Sequence, residues 1–482
     1  MSPTLSNRID RKLAGLTPIS PKCCIFKLHR HLRNVNNKAY EPLLLAIGPY
    51  NHGKDGLGLM EEHKLRYLQQ MLQRRNERSV DRYIMALREL EERARKCYAE
   101  CIRQTKDDFV EMMLLDGCFI IELFGKWGVQ DLRDQCDPIF QLDWMRNGIV
   151  RDLLLFENQL PFFVLTKLFE MISGSSGADI MIRLVGLAFD FLSSQIPFQQ
   201  TINSPSNDAM VQEMVDMSSK SVKHILEKRS DQLTHLLDLM HSGISFSVLN
   251  MDKHHAIVPP QEAGVKFKKL LKTFKHLSGL IHKAANLVDF TKLSKDAGNG
   301  DWTLIHSATE LHEAGVKFKK AERGNIFGIK FNDNGVLEVS PLTIQDKTET
   351  YLRNLIAYEQ YSQDKDSHYA TDYMCFLDDL INSPKDVEFL RRRGIIENLL
   401  GDDEVISTMV NKLGHNVYLP ARLSIYAKTT EDLNKHCSRR RNLWMAKLRH
   451  NYFNSPWSLL SFLAAVLLLS LTFTQTLFSI IK

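Results

Sequence analysis

The sequence lacks a long apolar run near its start. Across residues 1–22 the longest is Leu13-Ala14-Gly15-Leu16, too short for the apolar core of an export signal, so a cytosolic setting is expected. Cysteine is scarce. Eight in 482 residues form no disulfide framework, and the thiols are expected to stay reduced. Neither sign of charge is in large excess. The formal net charge of +5 gives no electrostatic reason to invoke nucleic acid. With 44% apolar and 25% charged residues, the composition is that of an ordinary globular chain. The length allows about two to four domains' worth of core.

Complete chemical motifs are missing as well. Gly48-Pro49-Tyr50-Asn51-His52-Gly53-Lys54 spells a phosphate-loop pattern as far as its lysine. The next position needs a Ser or Thr hydroxyl for Mg²⁺ and holds Asp55. Pro49 removes a backbone donor, and Gly56 and Gly58 delay the helix that should meet the phosphate. The stretch reads as a Gly/Pro turn, and no nucleotide is expected. Cys97 and Cys101 would share a helix face at i, i+4, but no second Cys/His pair accompanies them. His312-Glu313 opens a zinc-helix motif whose second histidine position holds Val316. His224, His235 and His241 read as surface or rim side chains. No metal or cofactor is therefore expected. The basic groups at Lys266–Lys269 and Arg439–Arg441 belong to no recognisable nucleic-acid fold.

The strongest positive signal is the C-terminal tail. From Trp457 to Ile481 there is no charged side chain. As a helix this stretch would span roughly 37 Å, against roughly 30 Å of bilayer hydrocarbon. Its apolar positions begin with Trp457, Leu459, Leu460, Phe462, Leu463 and Val466. They continue through Leu467, Leu468, Leu469, Leu471 and Phe473 to Leu477, Phe478, Ile480 and Ile481. They read as a single transmembrane helix over 457–481, inserted late in synthesis. Lys435, Arg439, Arg440, Arg441, Lys447 and Arg449 flank it on one side and Lys482 alone on the other, which places the body in the cytosol. The alternatives are a removable lipid-anchor signal cut near Asn454-Ser455 and a buried core helix.

Residues 1–22 read as a disordered N-terminus, and 23–450 as a mainly α, multi-helix body. Leu43–Ile47 suits a buried strand or extended segment. Helices are expected over 59–75, over 80–103 behind Ser79, and over an apolar run capped by Asp107-Asp108. Within that run Asp116 and Glu122 interrupt the apolar surface, either as catalytic carboxylates or as buried acids paired to backbone or arginine. Glu157-Asn158-Gln159 stands between two apolar blocks, and Pro161 ends one helix or opens the next. The trio is a hydrogen-bonded joint or the floor of a site.

An octapeptide, EAGVKFKK, occurs at 262–269, within a linker or duplicated segment of about 250–312, and again at 313–320. Its alternation of Val and Phe with Lys is strand-like. A small β-hairpin or meander is expected near 315–342, turning at Asn334-Gly335. Helices resume over 345–360, 369–381, from Ser383-Pro384 to before Gly394, and over 403–413. A basic helix over about 421–452 leads to the tail.

Several words of this sequence resemble one plant family. They include Ala39-Tyr40-x-Pro42, Ile47-Gly48-Pro49, His52-Gly53, and Met60-Glu61-x-His63-Lys64-x-Arg66-Tyr67-Leu68. Others are Leu114–Ile120, Asp152–Phe163, Ala308–Val316, Arg353–Gln360 and Tyr373–Ile381, ending in Pro456-Trp457 and the apolar tail. In this order they are similar to the plant domain-of-unknown-function 247 family from about Cys23 onward. Leu28-His29 departs from its pattern, as does the extra octapeptide. The resemblance implies a plant protein with a helical body and a C-terminal span at the plasma membrane. It carries over no catalytic residue. Some relatives are linked to recognition between pollen and stigma, which implies an unidentified protein partner.

The sequence-level expectation is therefore a membrane-anchored, non-enzymatic interaction or recognition protein. The alternative is a cytosol-facing enzyme whose site is built from Asp116, Glu157, Asn158, Gln159 and His63.

Overall fold

A computed structural model of the chain describes residues 5–14, 23–174, 178–193, 233–249, 306–321, 327–362, 368–419 and 424–438, with 464, 467–472, 474 and 475 of the tail. The first element differs from expectation. Leu5–Ala14 forms a helix, α1, whose Leu5, Ile9 and Leu13 make an i, i+4 stripe open to solvent. Residues 15–22 lie outside the described residues.

After α2 (Arg30–Arg33) come α3 (Gly58–Arg74), α4 (Asp81–Arg95) and α5 (Lys106–Gly128). The next are α6 (Pro138–Gln141), α7 (Asp143–Leu153), α8 (Phe162–Ser173) and α9 (Ala178–Ser193). α5 is apolar nearly all round and so cannot sit at a surface. Phe109, Met113, Phe119 and Ile120 on it are fully buried, and α3, α4, α8 and α9 pack about it. Its cap is Thr105, whose side chain accepts the Asp108 N–H at 3.1 Å. Asp107 and Asp108 fall in the first turn instead, where their charge opposes the helix dipole.

α4 stops at Arg95, short of the expected 103. The Cys97 carbonyl accepts the N–H groups of Cys24 and Ile25, and Ala99 N–H donates to the Ile25 carbonyl. The chain leaves the helix to bond this neighbouring segment. Cys97 is consequently buried while Cys101 is exposed, and the two share no helix face.

The second half contains α10 (Leu236–Leu249), α11 (Ala308–Glu313), β1 (Lys317–Lys320), β2 (Ile329–Phe331), β3 (Val336–Val339) and β4 (Leu342–Ile344). It continues with α12 (Thr348–Tyr361), α13 (Tyr369–Leu380), α14 (Pro384–Arg392), β5 (Ile396–Asn398), α15 (Asp403–Leu413) and α16 (Ala427–Cys437). β2 and β3 form the expected antiparallel hairpin. Asn332 Oδ1 accepts the N–H groups of Asn334 and Val336, and Gly335 takes φ +75°. β1, from the second octapeptide copy, adds in parallel on the other side of β3 with Phe318 opposite Leu337. The first copy lies outside the described residues. β4 and β5 pair in parallel, Leu342 opposite Ile396. One apolar core runs through both halves, from Ile25 to Cys437.

The C-terminal transmembrane helix is overturned, and with it the membrane as partner. Among the described residues no helix is long and apolar enough to cross a membrane. In the tail, Leu467, Leu468, Leu469 and Leu471 are exposed. Of the other span positions, Trp457, Leu459, Leu460, Phe462, Leu463 and Val466 lie outside the described residues, as do Phe473, Leu477, Phe478, Ile480 and Ile481. On the described turns of the tail, which are helical, the Ser470, Thr472 and Thr474 hydroxyls bond back to carbonyls of the preceding turn. Of the basic flank, only Lys435 is among the described residues. Lys435 lies in the last turn of α16, which stops at Cys437. Arg439, Arg440, Arg441, Lys447 and Arg449 lie outside the described residues.

The packing about α5 gives a direct expectation. Phe119→Ala removes a fully buried ring and should cost about 3–5 kcal/mol. Leu65→Ala, on the solvent face of α3, should stay within about 0.5 kcal/mol. Chemical-unfolding midpoints of the two variants measure the contrast.

Candidate functional site

A buried segment outside any sheet must find other partners for its backbone groups. Residues 43–48 are such a segment: Leu45, Ala46 and Ile47 are buried and belong to no strand. Side chains replace the missing sheet neighbour. Asp152 Oδ2 accepts the N–H groups of Leu43, Leu44 and Leu45 at 3.0, 2.7 and 3.0 Å. Asn158 Oδ1 accepts from Ile47 at 2.8 Å, and Asp116 Oδ2 accepts from Gly48 at 2.8 Å. The carbonyls are met as well. Asn158 Nδ2 donates to Leu45 and Lys64 Nζ to Ala46, at 2.9 and 2.7 Å.

Gly48 is required here on two counts. Its φ is +71°, and a Cβ would lie 2.4 Å from the Gln159 carbonyl oxygen. Lys64 is wholly buried, yet its Nζ also reaches Asp116 Oδ1 and Glu61 Oε1, each at 2.6 Å. Burial disfavours its charge, but the Asp116 and Glu61 carboxylates outweigh that and raise its pKa.

The other expected residues meet the same region. Glu157 Oε1 accepts the Leu28 N–H and pairs with Arg33, both at 2.6 Å. Gln159 Nε2 donates to the carbonyls of Leu153 and Leu155, and its Oε1 accepts from Leu237. Pro161 opens α8. Glu157, Asn158 and Gln159 thus form a turn between α7 and α8 that holds three separate stretches of chain. His63 stands apart: it is buried on α3 and makes no hydrogen bond among the described residues. Burial, helped by Arg66, holds its pKa below the usual imidazole value.

A second polar joint was not legible in advance. Glu359 on α12 accepts from Ala370 N–H and Thr371 N–H at 2.8 and 2.7 Å, and its Oε1 lies 2.8 Å from His241 Nε2. Asp238 Oδ1 accepts from the Tyr358 hydroxyl at 2.7 Å. His235 caps α10, its Nδ1 accepting the Asp238 N–H at 3.2 Å, and burial lowers its pKa to about 4. His235 and His241 are therefore buried, not at the surface or rim, because they fasten α10 to α12. His224 lies outside the described residues.

Among the described residues no group of three or more His, Cys, Asp or Glu could hold a metal ion. The arrangement binds the protein's own groups: each carboxylate or side-chain amide oxygen named above faces an N–H, a hydroxyl or a cation.

A family model for a plant protein of unknown function, DUF247, matches residues 25–471. The chain belongs to this family. Two proteins of Arabidopsis thaliana are similar along most of their length. UPF0481 protein At3g47200 is 29% identical over 468 residues, 95% of this chain and 87% of the relative. Putative UPF0481 protein At3g02645 is 26% identical over 483 residues, 95% of this chain and 90% of the relative. No solved structure matches. In this member of the DUF247 family the words that carried the resemblance meet in space. Ile47-Gly48-Pro49 lies against Lys64, Asp116 and the 152–159 stretch, and Asn354 Oδ1 accepts the Phe156 N–H at 2.8 Å.

Asp152→Ala leaves the Leu43–Leu45 N–H groups and Arg151 without their acceptor and should destabilise the chain by about 3–5 kcal/mol, measured by chemical unfolding. His235 gives a pH dependence. Its folded pKa of about 4 is depressed below the ordinary value of about 6.5, so as pH falls the unfolded chain takes up the proton first. The stability it contributes is complete above about pH 6.5 and is lost progressively toward pH 4. The gap in stability between wild type and His235→Asn should narrow from pH 7 to pH 4.5 in parallel unfolding titrations.

Proposed function

We propose that this protein is a non-enzymatic recognition module, a helical body that shapes a surface for a protein partner. The observation that carries this reading is the use made of the motif acids and amides. Asp116, Asp152, Glu157, Asn158 and Gln159 hold main chain, with their oxygens directed at N–H groups and cations. A general base or nucleophile needs a lone pair aimed at a reactant, so this geometry favours positioning over reaction.

What they position is a surface. The segment runs from exposed Leu43 to the loop 52–56, which is exposed throughout, and then to Leu59 and Leu65 on the solvent face of α3. A loop fixed at its root by buried hydrogen bonds presents its residues to a partner at little ordering cost. The recognition chemistry suggested is apolar, with His52, Lys54 and Asp55 adding polar contacts.

The test is reciprocal proximity labelling in plant tissue, with the full chain and a Leu59→Asp/Leu65→Asp variant. The expected result is a defined set of protein neighbours that label the chain in return and are lost from the variant, whose unfolding midpoint stays within about 1 kcal/mol of wild type. An unchanged set of neighbours refutes this surface. Turnover of a small molecule by the purified chain, abolished in Asp116→Asn, would establish the enzyme reading instead.

A further inference from the structure

Away from the 43–48 segment, a cavity of about 470 Å³ opens between α5, α8 and α9. Its walls are apolar: Ile121, Val129, Leu132, Phe169, Ile172 and Leu187. That volume falls within the range of about 300–1,000 Å³ usual for small-molecule pockets. One glycine lies in its wall. Gly125 lies one helical turn beyond Glu122, on the same face of α5, and a Cβ there would meet nothing closer than Leu132 Cδ1 at 3.8 Å.

Glu122 lines this cavity and is 97% buried by side chain, at 3% relative exposure. Its Oε1 receives Arg74 at 2.5 Å, while its Oε2 has no hydrogen-bond partner among the described residues. A buried carboxylate oxygen without a donor is costly, and an incoming donor relieves that cost. Arg183 also lines the cavity and makes no ion pair among the described residues. Two arginines against one carboxylate leave the site with an excess positive charge, which discriminates against amines.

The geometry points to a binding site for a small, mainly apolar carboxylic acid that carries a hydroxyl group. A small turn of the Glu122 carboxylate brings its shielded Oε2 to accept from the ligand hydroxyl, the ligand carboxylate meets the arginine side, and the apolar body fills the space above Gly125. Nothing in the 43–48 segment or in the recognition surface takes part, so this site stands or falls independently of the proposed function.

Calorimetric titration of the full chain with 6-hydroxy-2-naphthoate and 6-methoxy-2-naphthoate tests it. The methoxy compound accepts a hydrogen bond but cannot donate one. Wild type should bind the hydroxy compound at least about tenfold more tightly, the discrimination expected of a hydrogen bond to a charged acceptor. Glu122→Gln keeps an oxygen for Arg74 and turns an amide N–H₂ toward the ligand, so the preference should collapse toward parity. Gly125→Leu, which adds helix propensity and fills the cavity, should abolish binding of both with no loss of thermal stability. Equal binding of the two compounds by wild type, failure of either to bind at millimolar concentration, or binding unchanged in Gly125→Leu would each overturn the site.

Discussion

A backbone N–H withdrawn from water must find an acceptor, and in residues 43–48 no strand supplies one. The fold is arranged around that constraint. α5 provides Asp116, α7 provides Asp152, the turn before α8 provides Asn158, and α3 provides Lys64 for the opposing carbonyl. No single helix could serve the whole segment. The three helices and the turn must be in place together before its polar groups are satisfied, so the hydrogen bonds couple elements whose apolar contacts alone would leave them freer to shift.

The same logic joins the two halves of the chain. The N-terminal stretch passes between them: Glu157 holds Leu28 from one side, and the Tyr361 hydroxyl accepts the His29 N–H from the other. Asn354 donates to the Ala39 carbonyl while accepting from Phe156. Asn416 donates to the His31 carbonyl. Glu359 repeats the device within the second half, tying the start of α13 to α10 through His241. Sheets are thereby left with a minor role. Each of the five strands among the described residues is three or four residues long, and side chains do the joining that longer ladders perform elsewhere.

Long periodic helices and the Asn-Gly hairpin were legible in the sequence because each carries its signal within a dozen residues. α15 was expected over 403–413 and is found at Asp403–Leu413. The β4–β5 pair was not legible. Three residues show no periodicity, and the partners of Leu342–Ile344 lie at Ile396–Asn398, beyond three helices. The end of α4 was hidden for the same reason, since the acceptor that stops it serves Cys24 and Ile25, far upstream. Asp116 and the 157–159 trio stood out as polar residues within apolar runs. Their purpose could not be read, because it depends on which distant N–H faces each oxygen. Lys64, Asp152 and Glu359 sat inside the family words without drawing attention, and a charged residue next to other polar residues looks solvated until its burial is known. The tail misled in the opposite direction, because its charge-free length was the loudest feature of the chain and yet its described turns bury none of their leucines.

Buried ions such as Lys64 and Asp116 are poor sources of stability, because dehydrating both charges offsets most of their attraction. Their value here lies in register. A slip of 43–48 by one residue would move Leu45 and Ile47 off the positions in which they are buried. Apolar contact resists such a slip weakly, since Leu44 is itself half-buried and Ala46 is small. The polar contacts resist it strongly. A slip would present a carbonyl to Asn158 Oδ1 where the Ile47 N–H now stands, and would force a side chain against the Gln159 carbonyl, where only Gly48 fits. The root of the exposed 52–56 loop is therefore set by hydrogen-bond identity as well as by packing, and the surface it presents inherits that definition.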